Sequence, residues 1–228
     1  MATWKDDAEL FALIRQELFT ALVGDILDQN GYEHQFLPPE IRPLDPRMVV
    51  TGRAMPVLEA DIDNEIIHRN PQLQKPFGLM FEALDSLKPN EVYICSGASP
   101  AYALWGGLMS VRAIHTGAAG AVVNGYSRDT NEILGLSFPT FSMGGYAQDQ
   151  APRGKVVDFG NPIRFGKVII KPYDIIFGDR DGIVVIPAEV ENDVLEGALE
   201  KARGEHLVRK SLEKGMTTVE AFARYGIM

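Results

Sequence analysis

The chain has almost no cysteine: Cys95 is the only one in 228 residues. An intrachain disulfide framework is excluded, and a reducing, cytoplasmic setting is expected. Cys95 lies in the apolar run VYICSG, which predicts a small buried hydrophobe and not a nucleophile. Long apolar runs are missing too, so no membrane span is expected, and the first residues lack a charged-then-apolar leader pattern. Basic residues are in deficit, 22 Lys and Arg against 31 Asp and Glu for a net charge of −9, which argues against a nucleic-acid surface. There is no GxxxxGK[ST] loop and no Cys/His cluster. The four histidines include no HxH or HxxxH pair, so His34 is read as a loop residue. Internal repeats are absent as well.

What is present describes one α/β unit spanning 1–228, with 46% hydrophobic content and enough length for a full core. Trp4 to Leu22 reads as one amphipathic helix on the stripe Leu10, Ile14, Leu18 and Leu22, and a second helix from Thr20 ends at Asn30-Gly31. Asp25 and Asp28 fit its solvated face. Val49 to Leu58 alternates as a strand. The acidic cluster Glu59, Asp61 and Asp63 after it fits a solvated turn, or a pair sharing a metal or proton. Pro76 to Leu87 reads as a helix and Glu91 to Ser96 as a buried strand. Several short strands follow, and Gly178-Asp179-Arg180-Asp181-Gly182 reads as a hairpin turn. A charged helix from Ala188 to about Lys214 and a short one from Thr218 to Tyr225 end the chain.

The most informative stretch is WGGLMSVRAIHTGAAGAVVNGYSRD, Trp105 to Asp129. A helix opens at Gly106 and Gly107 and stops at Gly117, the place for a left-handed cap. Ala118 to Asn124 is an apolar run between glycines, the pattern of a buried strand. Arg128 and Asp129 then arrive together just past its carboxyl end, where ligands bind in open α/β sheets. A glycine-rich helix start offers N–H groups to an anion, an arginine offers a fork to a carboxylate, and an aspartate can hold a hard metal ion. The same residues fit a capping box, with Asp129 as N-cap and Glu132 three residues on.

With SFPTF, PRGKVVDFGNPI and FGDRDGIVVIP, this stretch resembles the RraA-like family, which holds 4-hydroxy-4-methyl-2-oxoglutarate / 4-carboxy-4-hydroxy-2-oxoadipate aldolases and the regulators of ribonuclease E activity. The resemblance runs from about Thr20 to the C-terminal helices. Its most specific part is the Arg-Asp pair after a G-A-x-G-x-V-x-x-G strand. It implies an α-β-β-α sandwich with the N-terminal helix and C-terminal helices as oligomer contacts, in a homotrimer or dimer of trimers.

It further implies a small 2-oxo acid substrate, with its carboxylate on amides around Leu104, Trp105, Gly106, Gly107 and Leu108. Arg128 would hold the 2-oxo oxygen. Asp129 would bind a divalent metal, Mg²⁺ first and Mn²⁺ second. Glu205 of a neighbouring chain, or Glu200 in its place, would approach the site. The activity implied is a metal-dependent carbon–carbon lyase, an aldolase or oxaloacetate decarboxylase. A non-catalytic regulator and a sugar-acid enzyme are the alternatives. The family's aldolases carry an acid twenty residues before Arg-Asp, where this chain has Gly107. The expected substitutes for that acid are Glu59, Asp61 or Glu205.

Overall fold

In strand β2 (Val50–Asp61) alternate residues part company. Met55 and Val57 enter one apolar cluster while Val50 and Ala54 enter another. Strands β3 (Glu91–Ser96) and β5 (Gly120–Val123) divide the same way, with Tyr93, Cys95, Ala121 and Val123 on one face and Val92, Ile94 and Val122 on the other. This period of two is what a sheet buried on both faces requires. The structure is a computed structural model describing residues 4–62 and 74–227.

With β1 (Arg42–Pro43), β7 (Thr140–Ser142), β11 (Ile175–Asp179) and β12 (Gly182–Ile186), the sheet runs β1-β7-β5-β3-β2-β11-β12. Strands β2, β3, β5 and β7 are mutually parallel, and β11 turns antiparallel against β2. One face is covered by α3 (Met80–Ser86), α4 (Gly107–Thr116) and α5 (Thr130–Leu136). The other is covered by the hairpin β9 (Ile163–Phe165) and β10 (Val168–Ile170). Helices α1 (Asp7–Glu17), α2 (Thr20–Gln29) and α6 (Glu191–Glu213) form a third cluster with β11 and β12. A short α7 (Thr218–Tyr225) follows, opened by a capping box of Thr217 and Glu220. The α/β expectation therefore holds. Among the described residues, no helix is long and apolar enough to cross a membrane.

Three expectations need correction. The helix expected from Trp4 to Leu22 is two helices, because Leu18 and Phe19 are extended. Asp179 fixes the break: its carboxylate accepts the Thr20 N–H and the Thr20 hydroxyl, each at 2.8 Å, and so caps α2 from the β11–β12 hairpin. The helix expected at Pro76 begins at Met80. Glu59 and Asp61 are not in a solvated turn. They continue β2, because β8 (Gly154–Phe159) pairs with this end of the strand, and Glu59 is only 1% exposed. Asp63 lies outside the described residues.

Candidate active site

Two very short strands build the site. β4 (Ala103–Trp105) and β6 (Tyr126–Ser127) pair in parallel, with Trp105 opposite Ser127. Parallel strands release their chains on the same side, so Gly106-Gly107 and Arg128-Asp129 emerge together. The Arg128 N–H donates to the Trp105 carbonyl at 2.9 Å and locks this register. The buried Trp105 indole packs on Tyr93 and Phe138, and its N–H donates to Ser110 Oγ at 2.8 Å. Ser110 in turn donates to the Gly106 carbonyl at 3.1 Å, which anchors the start of α4.

Asp129 is the N-cap of α5, as the spacing predicted, but the capping box does not form. Its backbone is left-handed, φ +57°, and the carboxylate turns away from its own helix. Oδ2 accepts the Gly107 N–H at 3.1 Å, so Asp129 sits on the electropositive start of α4. Arg128 Nη1 pairs with Asp149 Oδ1 at 2.9 Å and its Nε lies 3.6 Å from Asp129 Oδ2. These three side chains remain about two-fifths exposed, open to a ligand.

A carboxylate does stand beside position 107, although it is not part of the cavity lining. A side chain built on Gly107 would overlap the carboxylate of Glu132, which reaches across from the first turn of α5. Gly107 is therefore the residue that makes room for Glu132. Beside this group lies a cavity of about 460 Å³, walled by α3, α4, β4 and the Arg128-Asp129 and Asp149-Gln150 segments.

A family model described as Aldolase/RraA, RraA-like, matches residues 20–185. The chain belongs to the RraA-like family. A relative in Halalkalibacterium halodurans, named "Putative 4-hydroxy-4-methyl-2-oxoglutarate aldolase", is 30% identical over 207 residues, covering 89% of each chain. An uncharacterized protein of Methanocaldococcus jannaschii is 34% identical over 122 residues, which is 50% of this chain and 54% of that one. The chain thus spans about half the length of that archaeal relative. The solved structure of Streptomyces coelicolor RraAS2, "an unusual member of the RNase ES inhibitor RraA protein family", superposes with a TM-score of 0.80 at 20% identity, covering 91% of this chain and 100% of that one. At that identity the likeness is one of fold.

Within this RraA-like chain, Leu104, Trp105, Gly106, Leu108, Arg128 and Asp129 all line the cavity. Leu104 and Trp105 do so as buried packing residues, each 1% exposed. Gly107 is not in the lining, and its open side faces the Glu132 carboxylate. Among the expected substitutes for the missing acid, Glu59 lies one layer deeper. It accepts from Gln150 Nε2 at 2.8 Å while its Oε1 has no hydrogen-bond partner among the described residues. Burial, with Asp61 adding to it, pushes the Glu59 carboxyl up to about 8. Asp61 accepts from the Ser99 N–H and hydroxyl and from the Tyr102 hydroxyl. Burial raises its pKa, but these hydrogen bonds outweigh that and leave it below the usual carboxylate value. Glu205, on α6, is not in the lining of this chain's cavity and rests 4.0 Å from Lys201. The expected solvated face of α2 holds at Asp25, which pairs with Lys201 at 2.5 Å. Cys95 is buried, as its apolar run predicted.

A divalent ion needs donors that fit it. Among the described residues no three His, Cys, Asp or Glu side chains converge. A hydrated ion on a single carboxylate, the habit of Mg²⁺, would need no such cluster. Asp129 fits this, since its Oδ2 accepts from the Gly107 N–H and, among the described residues, its Oδ1 accepts no hydrogen bond.

Proposed function

We propose that this chain is a carbon–carbon lyase acting on a 4-hydroxy-2-oxo acid or an oxaloacetate-like oxo acid through the enolate of pyruvate. The observation that carries the reading is Glu132 over Gly107. It puts a carboxylate next to Gly107, whose N–H is held by Asp129, and in this reading that carboxylate takes the role of the acid absent at position 107. The name of the H. halodurans relative supports the same reaction class.

The roles follow from the chemistry. Gly107 gives its N–H to Asp129, so the amides of Leu108 and Met109 remain for the substrate carboxylate at the start of α4. Arg128 holds the 2-oxo oxygen with the part of its fork that Asp149 does not use. Asp129 would hold a divalent ion, which when bound supplies positive charge at the enolate oxygen. Glu132 takes the proton from the 4-hydroxyl as the bond between C3 and C4 breaks. The electron pair passes into the enolate, and protonation at C3 completes pyruvate.

The deciding assay measures pyruvate release from oxaloacetate and 4-hydroxy-4-methyl-2-oxoglutarate, with Mg²⁺ or Mn²⁺ and with a chelator. Chelator-sensitive release supports the lyase. No release from either substrate, together with co-purification of a ribonuclease, would favour a regulator. Assembly into trimers is part of the proposal, since Glu205 would have to act in the site of a neighbouring copy. Its motive in this chain is α4, which exposes Leu108, Val111 and Ile114, with Leu108 81% exposed. Light scattering that finds a monomer at micromolar concentration would remove Glu205 from the mechanism.

A further inference from the structure

The cavity beside Arg128 and Asp129 holds a second arginine that the proposed mechanism does not use. Arg112, on α4, lies in the cavity lining with Leu108 and Met109. Positions 108 and 112 are four apart and share one helix face. Helical side chains lean toward the N-terminus, so Arg112 leans back over the turn that holds Leu108, toward the polar end of the cavity. The facing wall is apolar, built from Met80, Phe81 and Leu84 of α3 with Phe77 just before it.

The bonding of Arg112 leaves its outer edge open. Nε donates to Asp85 Oδ1 at 2.8 Å, and among the described residues Nη1 and Nη2 make no hydrogen bond. A guanidinium has five N–H donors, so the four on its terminal nitrogens remain. The edge they form matches a carboxylate fork to fork, and a ligand can dock there without displacing Asp85. With side chains 40% and 66% exposed, the Arg112–Asp85 pair contributes little to holding α3 on α4. It does fix the direction of the guanidinium, because Asp85 holds the Nε edge from α3.

The spacing suits a short diacid. A Cβ built on Gly106 would sit 3.5 Å from Arg128 Cγ and 3.7 Å from its Nε, so Arg128 lies over the start of α4. From Gly106 to Arg112 is six residues, roughly 9 Å at the helical rise, and the lean of the Arg112 side chain shortens it. A five-carbon chain spans about 5 Å between its carboxyl carbons, and a charge-assisted contact at each end adds about 3 Å.

From this placement we infer that Arg112 determines specificity at the far end of the substrate. Its Nη1–Nη2 edge receives the second carboxylate of a five-carbon 2-oxo diacid, whose first carboxylate lies on the amides of Leu108 and Met109. Substituents on C4 then face the apolar wall of α3. The inference rests on the proposed reading of the polar end, and the two fail separately.

The test is calorimetric titration of the full chain, in Mg²⁺, with pyruvate, 2-oxopentanoate and 2-oxoglutarate. The last two have the same carbon chain and differ only in the far carboxylate. 2-Oxoglutarate is expected to bind at least about tenfold tighter than 2-oxopentanoate. Arg112→Met keeps an unbranched apolar stem at a 40% exposed position and is expected to melt close to wild type. It should remove the 2-oxoglutarate advantage while the pyruvate Kd stays unchanged. Equal affinity for 2-oxoglutarate and 2-oxopentanoate in the wild type, with pyruvate still bound, would overturn the role of Arg112 and leave the polar end intact. A 2-oxoglutarate advantage that survives Arg112→Met would do the same. No binding of any of the three would overturn both readings.

Discussion

The carboxylate of Glu132 occupies the space that a side chain on Gly107 would need. If it moves the proton in the reaction, Glu132→Gln should lower kcat by about 10²–10⁴-fold. Glu132 is exposed, so the change should leave the melting temperature nearly unchanged. Steady-state kinetics beside a thermal melt separates the two effects. Full activity in the variant would return Glu132 to an ordinary surface position.

The same contact makes Gly107→Asp a poor way to restore an acid at that position. The new Cβ would overlap Glu132, and two carboxylates would crowd each other at the start of α4. The single variant should lose activity and stability. Gly107→Asp combined with Glu132→Ala should recover much of both, because the acid is then supplied from the α4 side. A double variant no better than Gly107→Asp alone would show that the two positions do not exchange one role.

The elements around this site were legible because their signals are local. The apolar runs of β3 and β5, and the Gly117 stop of α4 at φ +81°, need nothing distant to define them. The partners were not legible. The Asp129-Glu132 spacing predicted a capping box, but the left-handed backbone at Asp129 turns its carboxylate to Gly107, and Glu132 reaches α4 as well. A glycine at the position where a family acid is expected is a signal to look for another carboxylate nearby, and Glu132 was the one within a turn of Asp129. The burial of Glu59 was illegible for a similar reason. Its burial depends on β8 and on Gln150, 91 residues away in the chain.

Arg128→Lys should cost nearly as much in kcat/KM as Arg128→Ala. The guanidinium meets Asp149 through Nη1 while Nε faces Asp129 at 3.6 Å. A compact ammonium cannot hold that geometry and still present a fork to a 2-oxo acid. The loss of one hydrogen bond to a charged group, roughly 1.5–3 kcal/mol, corresponds to at least about tenfold in rate. Near-complete rescue by lysine would reduce Arg128 to a source of positive potential.

Asp129→Asn should separate metal binding from folding. Asparagine tolerates the left-handed backbone and keeps an acceptor for the Gly107 N–H, and no side-chain cap of α5 is lost. The variant should melt close to wild type and show no stabilisation by Mg²⁺, whereas wild type should melt higher as Mg²⁺ is added. An equal Mg²⁺ shift in both proteins would place the ion elsewhere.

Glu59 should make stability depend on pH in a direction unusual for a carboxylate. Its pKa is raised by burial from 4.5 to about 8, so the folded chain binds this proton more tightly than the unfolded one. Its contribution is therefore complete below about pH 4.5 and is progressively lost as pH rises to about 8, where the buried group ionises beside Asp61. At 1.36 kcal/mol per unit, the full span is of order 5 kcal/mol as an upper bound. Glu59→Gln keeps an acceptor for Gln150 Nε2 but cannot ionise. Denaturant midpoints taken from pH 6 to 9 should fall in the wild type and stay nearly level in Glu59→Gln. Parallel curves would mean that Glu59 is ionised in the folded chain throughout this range, its charge stabilised in spite of burial.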